Sequence, residues 1–225
     1  DDLTQLGLLE KVEEYTHQVP KCYRCDTTVE LIPSLQWFLK MEELAKVALK
    51  AVKSGKVKFT PKRWEKVYFD WLSNVKDWCI SRQLWWGHKI PIEGVDDVLD
   101  TWFSSALWPF ATLGWPEQTQ DLKTFYPGNV LASGRDIINL WISRMIFSGE
   151  EFMKKAPFQN VYINATVLTR EGQRMSKSLG TGIDPLGLVE KYGADATRFG
   201  IGYQITEGQD LKFIEDNIIM GRKFC

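Results

Sequence analysis

Length and charge already narrow the classes of protein to which this chain can belong. Its 225 residues are 44% hydrophobic, which is enough for a core in one large domain or in one domain with an appendage. Lysine and arginine total 28 against 29 aspartate and glutamate. No overall positive field therefore attracts a polyanion, and any contact with nucleic acid has to be local.

The cysteines and the apolar segments indicate a compartment. Cys22, Cys25, Cys79 and Cys225 form no spaced disulfide framework, which favours a reducing compartment, so we expect a cytoplasmic protein. No window approaches the roughly 20 apolar residues that span a bilayer, and we expect no membrane association. The sequence begins without methionine and ends inside an apparent helix, which predicts a fragment of a longer protein.

The first candidate site is a pair of cysteines near the N-terminus. The spacing of residues 8–15 predicts a helix, and the pattern then breaks into a proline-containing turn that carries Cys22 and Cys25. Two thiolates on a tight turn supply two of the four ligands that tetrahedral zinc prefers. The second pair is missing, because Cys79 lies far along the chain in an apolar segment. Two free thiols in a surface turn are therefore favoured over bound zinc.

The following segments are typical of a scaffold. Residues 41–53 predict an amphipathic helix, residues 57–59 a short strand, and residues 63–75 a second helix rich in aromatic side chains. Residues 77–91 then mix polar and aromatic side chains too closely for a simple core face, which indicates a ligand beside them. Residues 96–103 predict the start of a helix with carboxylates in its first turn, where the helix dipole favours them.

Two strand-turn-helix units occupy the second half of the chain. Residues 129–138 predict a strand, a glycine turn and a helix. Residues 161–168 predict a second strand, followed by the loop 172–180 and a helix over 185–199. Alternating units of this kind predict a parallel α/β sheet.

The strongest chemical signal lies in the loop from Arg174 to Gly180. It carries two cations, two hydroxyls and a glycine between a predicted strand and a predicted helix. Cations placed over the β and γ oxygens of a nucleoside triphosphate stabilise the charge that develops during transfer at the α-phosphate. Lys177 is the first candidate for this task. A lone Lys-Ser pair would instead be interpreted as a solvated basic turn.

The run Arg174-Met175-Ser176-Lys177-Ser178 resembles the KMSKS signature of class I aminoacyl-tRNA synthetases, with arginine in place of the first lysine. In that family the loop closes over the pyrophosphate of ATP during amino acid activation. The resemblance implies that Lys177 stabilises the transition state and that Arg174 supports it. Ser176 and Ser178 would be minor contributors to ATP binding.

A second marker is the turn Gly134-Arg135-Asp136, which resembles the Gly-x-Asp segment after the fourth strand of these enzymes. The resemblance implies that Gly134 and Asp136 hold the ribose of ATP. A glycine lets the backbone approach a sugar closely, and a carboxylate can accept hydrogen bonds from both ribose hydroxyls. The alternative is a structural glycine turn with a capping aspartate.

Two aromatic segments, residues 81–87 and 97–103, resemble those of the synthetases for branched aliphatic amino acids. In the valine and isoleucine enzymes such residues wall the side-chain pocket, and the resemblance implies this role for Trp86, Val98 and Trp102. One methylene in such a pocket is worth only about 1–3 kcal/mol of discrimination. Packing in a core is the alternative, since tryptophan at helical spacing is more often core than pocket.

The resemblance covers nearly the whole chain and favours valine over isoleucine. The isoleucine enzymes usually show Asp-Ser-Gly after their Trp-Phe pair, where this chain has residues 104–106 as Ser-Ser-Ala. Three departures bear on independent activity. The HIGH-like signature of the first half of the fold is absent, the junction 92–95 is shorter than usual, and Asn164 stands where relatives commonly have histidine.

The sequence therefore predicts the second half of a Rossmann-like class I synthetase sheet, with accessory helices. We expect residues 1–60 to be a connector that leaves an editing insertion, 61–215 the catalytic part, and 216–225 the start of an anticodon-binding region. The expected reaction is the ATP-dependent activation of valine and its transfer to tRNA(Val), with Mg²⁺ screening the phosphates. The expected partner is the N-terminal half of the catalytic domain. An isoleucine enzyme, a nucleotide- or tRNA-binding fragment without catalysis, and a scaffold with a protein interface are the alternatives.

Overall fold

The computed structural model describes residues 1–22, 25–176, 180–205 and 210–225 of the protein. These residues form two compact units, 1–35 and 36–225. Among them, no helix is both long and apolar enough to cross a lipid bilayer.

The smaller unit contains little regular structure. It begins with a short helix, α1 (Asp2–Gln5), and Lys21 and Thr28 form an isolated antiparallel bridge around the cysteine turn. The helix predicted over residues 8–15 is wrong, because this segment has no regular secondary structure. Val12 and Tyr15 are 84% and 85% exposed. Without burial of one face, a helix of this length is marginal in water.

The larger unit is built from short strands and helices. Its first half contains β1 (Phe38–Leu39), α2 (Glu42–Lys53), β2 (Lys58–Thr60), α3 (Trp64–Ser73), β3 (Trp78–Cys79), β4 (Ser81–Arg82), β5 (Val98–Leu99), α4 (Thr101–Ala106), α5 (Trp108–Ala111) and α6 (Gln120–Phe125). Its second half contains β6 (Gly128–Gly134), α7 (Ser143–Ser148), β7 (Phe158–Asn164), β8 (Val167–Leu168), α8 (Pro185–Tyr192), α9 (Ala194–Gln204), β9 (Leu211–Lys212) and α10 (Glu215–Phe224).

A parallel sheet in the order β2-β7-β6 organises this unit, as the two predicted strand-turn-helix units require. In its register Gly128 lies opposite Phe158 and Gly134 lies opposite Asn164. The carboxyl ends of β6 and β7 therefore meet at one edge of the sheet. A smaller parallel pair, β8 with β9, continues from β7. The predicted α/β class with a parallel sheet is confirmed.

The main core lies between this sheet and the helices α2, α3 and α7. On α2 the buried residues Ala45, Ala48, Ala51 and Val52 recur every three or four positions, so small side chains form one face of the helix. The buried hydroxyl of Tyr68 donates a hydrogen bond of 2.9 Å to the carbonyl of Ala48. The predicted scaffold helices over 41–53 and 63–75 are confirmed as α2 and α3.

Two other boundary predictions are wrong for local reasons. The helix predicted to start at residues 96–103 begins only at Thr101, because Val98 and Leu99 form β5 against β4. Its N-terminal cap is Asp100, whose carboxylate accepts from the amide of Trp102. The helix predicted over 185–199 is divided into α8 and α9 by Gly193, which adopts a φ of +93°.

Candidate nucleotide and amino acid site

The candidate nucleotide site lies at the carboxyl edge of β6 and β7. The chain leaves β6 at Gly134 and turns through one 3-10 turn, Arg135–Ile137. A side chain added at Gly134 would meet nothing within 4 Å, so the space in front of this residue is open. Asp136 is on the turn with its side chain 48% exposed. Both residues predicted to hold ribose are therefore accessible from the same edge.

Arg174 reaches this edge from the signature loop. Its Nη2 lies 2.9 Å from Oδ2 of Asp136, and the Arg135 Nε lies 4.0 Å from Oδ1 of the same carboxylate. The two segments predicted to bind one ATP molecule are thus in direct contact, although residues 136 and 174 are far apart in the sequence. Two of the predicted ATP residues are brought together by the fold.

A second ion pair holds the turn in place. Nη1 of Arg135 lies 2.7 Å from Oδ2 of Asp210, and Oδ1 of Asp210 accepts a bond of 3.3 Å from the amide of Thr166. This connects the turn after β6 to the chain that leaves β7. The guanidinium of Arg135 also lies 5.9 Å from the ring of Trp64. Sequence reasoning missed Asp210, because nothing in the local pattern marks it.

The base of the signature loop is well anchored. Leu168 and Arg174 form an antiparallel bridge, closed by a turn in which Gly172 has a φ of +87°. Met175 packs against the small core that contains Leu188 and Phe213. This contact fixes the backbone next to Arg174.

Ser176 and Thr181, which lie on either side of the signature loop's central residues, are hydrogen-bonded to each other. The amide of Ser176 donates a bond of 2.9 Å to the hydroxyl of Thr181, and the amide of Thr181 donates to the carbonyl of Ser176. The predicted catalytic Lys177 and the predicted Ser178 lie outside the described residues.

The residues predicted to wall an amino acid pocket occupy different environments. Trp86 is 82% exposed, whereas Val98 is 4% exposed and lies directly beneath Gly87, where a Cβ would come within 2.9 Å of the valine Cγ2. Trp102 is half-buried and lines a cavity of about 560 Å³ together with Trp71 and Trp78. Trp86 and Val98 do not line that cavity. The described chain does not bring the three residues into one pocket.

Asp100 is the central polar residue behind this aromatic region, and sequence reasoning missed it. It is 6% exposed. Its Oδ2 accepts bonds of 2.9 Å from Nε1 of Trp78 and 3.0 Å from Nη2 of Arg82, while Oδ1 caps the helix that carries Trp102. One carboxylate thereby connects β3, β4 and α4. The only local sign of this role is its position one residue before the helix.

Arg144 completes this cluster from α7. Its Nη1 lies 3.7 Å from Oδ2 of Asp100, and its guanidinium lies 3.7 Å from the ring centroid of Trp78. Burial lowers the pKa of Arg144 to about 10, and the Asp100 charge opposes this shift. The guanidinium is therefore still charged near neutral pH, which makes the carboxylate necessary for its burial.

The cysteine turn offers only part of a metal site. Cys22 donates its amide to the carbonyl of Thr27, and the amide of Asp26 donates to the carbonyl of Cys22. The Thr27 hydroxyl lies 3.3 Å from Sγ of Cys25 and lowers the pKa of that thiol. Within the described ranges, no group of three or more potential ligands is assembled. The pair therefore supplies at most half of a tetrahedral zinc site.

Comparison with known protein families shows to which family this chain belongs. The family described as tRNA synthetases class I (I, L, M and V) matches residues 28–94 and 92–214. The chain belongs to this family. The match is divided at residues 92–94, which is the junction that the sequence predicts to be shortened.

Two similar relatives within the family are both valine--tRNA ligases. The valine--tRNA ligase of Carboxydothermus hydrogenoformans is 49% identical over an alignment of 252 residues that covers 100% of this chain. That of Thermotoga maritima is 50% identical over 94% of this chain. The chain spans 29% and 28% of the lengths of these two proteins.

Solved structures agree on the fold. Mycobacterium tuberculosis methionyl-tRNA synthetase in complex with methionyl-adenylate superposes with a TM-score of 0.75 and 20% identity, over 90% of this chain and 40% of that one. The Agrobacterium radiobacter leucyl enzyme in a ternary complex superposes over 67% of this chain with a TM-score of 0.58. The predicted class I synthetase fold is confirmed.

Proposed function

We propose that this chain is the part of a valine--tRNA ligase that binds ATP and valine from the carboxyl edge of β6 and β7. The observation that carries the proposal is the ion pair between Arg174 and Asp136, which joins the signature loop to the predicted ribose-binding turn. The choice of valine is supported by relatives 49% and 50% identical over at least 94% of the chain.

The proposed reaction has two steps and needs no side-chain nucleophile. A carboxylate oxygen of valine attacks the α-phosphorus of ATP, forming valyl-adenylate while pyrophosphate leaves. A terminal ribose hydroxyl of tRNA(Val) then attacks the activated carbonyl carbon, and AMP leaves. Placement and electrostatic stabilisation supply the catalysis.

Each residue has a proposed task. Asp136 accepts from the ribose hydroxyls, and Gly134 leaves room for the sugar. Lys177 and Arg174 stabilise the phosphate charge, with Ser176 and Ser178 as minor contributors to ATP binding. Mg²⁺ arrives with the triphosphate, whose oxygens are its main ligands, and screens its charge.

Trp86, Val98 and Trp102 are the proposed contacts to the valine side chain. Their separation in this chain is compatible with a pocket that is completed by another part of the enzyme, because the chain covers less than a third of its relatives. The proposed partner is accordingly the N-terminal half of the catalytic domain. We also propose a cytoplasmic location, since the four cysteines of this chain are free thiols.

ATP-pyrophosphate exchange with valine, isoleucine or leucine tests the proposal. We expect exchange with valine, by this chain alone or mixed with the N-terminal half, and its loss in Lys177→Ala. Exchange that prefers isoleucine would overturn the valine assignment. Exchange that is equal in Lys177→Ala and in the parent chain would overturn the role of the loop.

A second candidate, a nucleotide-binding fragment without catalysis of its own, is favoured by the accessible ribose turn. It predicts that the isolated chain binds ATP but shows no exchange until the N-terminal half is added. Calorimetric titration with ATP separates this from a chain that does not bind nucleotide at all.

A further inference from the structure

Packing alone does not fix the position of Trp102. This proposed wall of the valine pocket borders a cavity of about 560 Å³ that Trp71, Trp78 and Arg144 also line. A side chain next to open space has fewer contacts to hold it than one in a close-packed core. The place of Trp102 therefore depends on how firmly the backbone of α4 is held.

Hydrogen bonds hold α4 near both of its ends. Oδ1 of Asp100 accepts a bond of 3.2 Å from the amide of Trp102, one of the N-terminal donors that a helix cannot satisfy by itself. Near the other end of this six-residue helix, Nε1 of Trp141 donates a bond of 2.9 Å to the carbonyl of Ser105. The start of α4, and with it Trp102, thus follows the position of the Asp100 carboxylate.

Arg144 connects this carboxylate to α7. Its side chain is 8% exposed, and its Nη1 lies 3.7 Å from Oδ2 of Asp100. Its guanidinium also lies 3.7 Å from the ring centroid of Trp78, which is a cation–π contact. All six residues of α7 are buried, so this helix gives Asp100 a firm support.

Stability alone does not account for a buried arginine at this position. Nε and Nη1 of Arg144 are buried and donate no hydrogen bond within the described part of the chain, which is costly. Replacing a buried ion by an apolar group of similar size is often neutral or stabilising. Asp100 would still accept from Trp78 and Arg82. An apolar side chain would lose only the connection from Asp100 to α7.

We propose that Arg144 is a positioning residue for the selection of valine, because it fixes Trp102 through Asp100. Arg144 acts through the carboxylate and the first turn of α4. The proposal rests on the proposed function, in which Trp102 contacts the valine side chain. A wall that yields admits the extra methylene of isoleucine more readily, and a methylene supplies only about 10–200-fold discrimination.

The first test measures this geometry without any activity. The chain is labelled with ¹⁵N-tryptophan, and the backbone amide signal of Trp102 is assigned by its loss in Trp102→Phe. Arg144→Met removes the charge, whereas Arg144→Lys keeps a cation beside Asp100. The control is Arg222→Met, which removes an exposed arginine from α10. Circular dichroism checks folding, and Arg144→Gln takes the place of the methionine variant if that variant is unfolded.

We expect the Trp102 amide signal to shift in Arg144→Met, because its hydrogen bond to Asp100 changes. In Arg144→Lys the signal should lie closer to its parent position, and in the control it should not move. An unmoved signal in the folded Arg144→Met chain would overturn the proposal, whatever the activity. A shift of equal size in Arg222→Met would overturn it as well.

The second test is ATP-pyrophosphate exchange by the chain mixed with the N-terminal half. We expect Arg144→Met to raise KM for valine and to lower the ratio of kcat/KM for valine to that for isoleucine by about fivefold or more. KM for ATP should not change, and Arg144→Lys should restore most of the ratio. Equal losses with valine, isoleucine and ATP would show a merely structural role and overturn the proposal. A parent chain that prefers isoleucine would overturn the proposed function, while a shifted Trp102 signal would still support the link from Arg144 to Trp102.

Discussion

Nη2 of Arg174 lies 2.9 Å from Oδ2 of Asp136, and this contact joins the loop after β8 to the turn after β6. The guanidinium is 73% exposed and the carboxylate 48% exposed, so water screens the pair. The carboxylate is also the proposed acceptor for the ribose. Ribose hydroxyls that bind Oδ2 of Asp136 would compete with this ion pair, and a weak pair opens readily.

A double-mutant cycle with Arg174→Ala and Asp136→Asn measures the strength of the pair. We expect a coupling free energy below about 1 kcal/mol in urea unfolding, as for other exposed ion pairs. Raising the salt concentration reduces the coupling further. A coupling above about 2 kcal/mol would contradict the interpretation of a pair that opens readily.

Replacing Asp100 should destabilise the chain far more than replacing a surface aspartate. Asp100→Ala leaves the buried Arg144 without its nearby carboxylate and removes the cap of α4. We expect a loss of about 3 kcal/mol of unfolding free energy. The control is Asp96→Ala, since Asp96 is fully exposed and its one ion pair within the described part of the chain is with Lys89 at 3.5 Å. Asp96→Ala should change the free energy of unfolding by less than about 0.5 kcal/mol. Equal effects of the two substitutions would contradict the stabilising role of Asp100.

Much of the fold follows from the sequence, because both strand-turn-helix units have clear periodicity and glycine turns. The failures have physical causes. The segment 8–15 has helical spacing, but its apolar side chains are exposed and nothing stabilises the helix. The start of α4 depends on pairing between Val98 and Arg82, a contact that local pattern does not reveal.

The candidate site was only partly predictable for the same reason. The family resemblance identified Gly134, Asp136 and Arg174, and the fold brings the last two together. Asp210 and Asp100 act through partners distant in sequence, Arg135 and Trp78. A single sequence gives no signal for such pairs. The roles of Trp86, Val98 and Trp102 stay predictions.

The two glycines of α9 should respond oppositely to alanine. A Cβ on Gly200 would lie 2.6 Å from Cα of Ile218 in α10, a backbone atom that cannot move aside. We expect Gly200→Ala to lower the unfolding free energy by about 2 kcal/mol. Gly202 has nothing within 4 Å of its added Cβ, so Gly202→Ala should raise stability by up to about 1 kcal/mol. Urea unfolding of both variants measures this, and destabilisation of equal size at both sites would contradict the close packing of α9 on α10.

The thiol of Cys25 should react faster near neutral pH than an equally exposed thiol with the usual pKa. The Thr27 hydroxyl lowers the pKa of Cys25 from its usual value of 9.0, so more thiolate is present below that pH. Thr27→Val should raise the pKa and slow alkylation at pH 7.5, with the difference vanishing above pH 10. Mass spectrometry of the tryptic peptide that begins at Cys25 follows the rate. Rates that remain equal at pH 7.5 would show that the hydroxyl does not affect the thiolate.

The most direct test of the nucleotide site is calorimetric titration of the chain with ATP and Mg²⁺, comparing the parent with Asp136→Asn. Hydrogen bonds to a charged group contribute about 1.5–3 kcal/mol, so we predict at least tenfold weaker binding in the variant. The exposed control Lys66→Gln should bind ATP as the parent does. Unchanged ATP affinity in Asp136→Asn would contradict the assignment of the β6 and β7 edge as the site that holds the nucleotide.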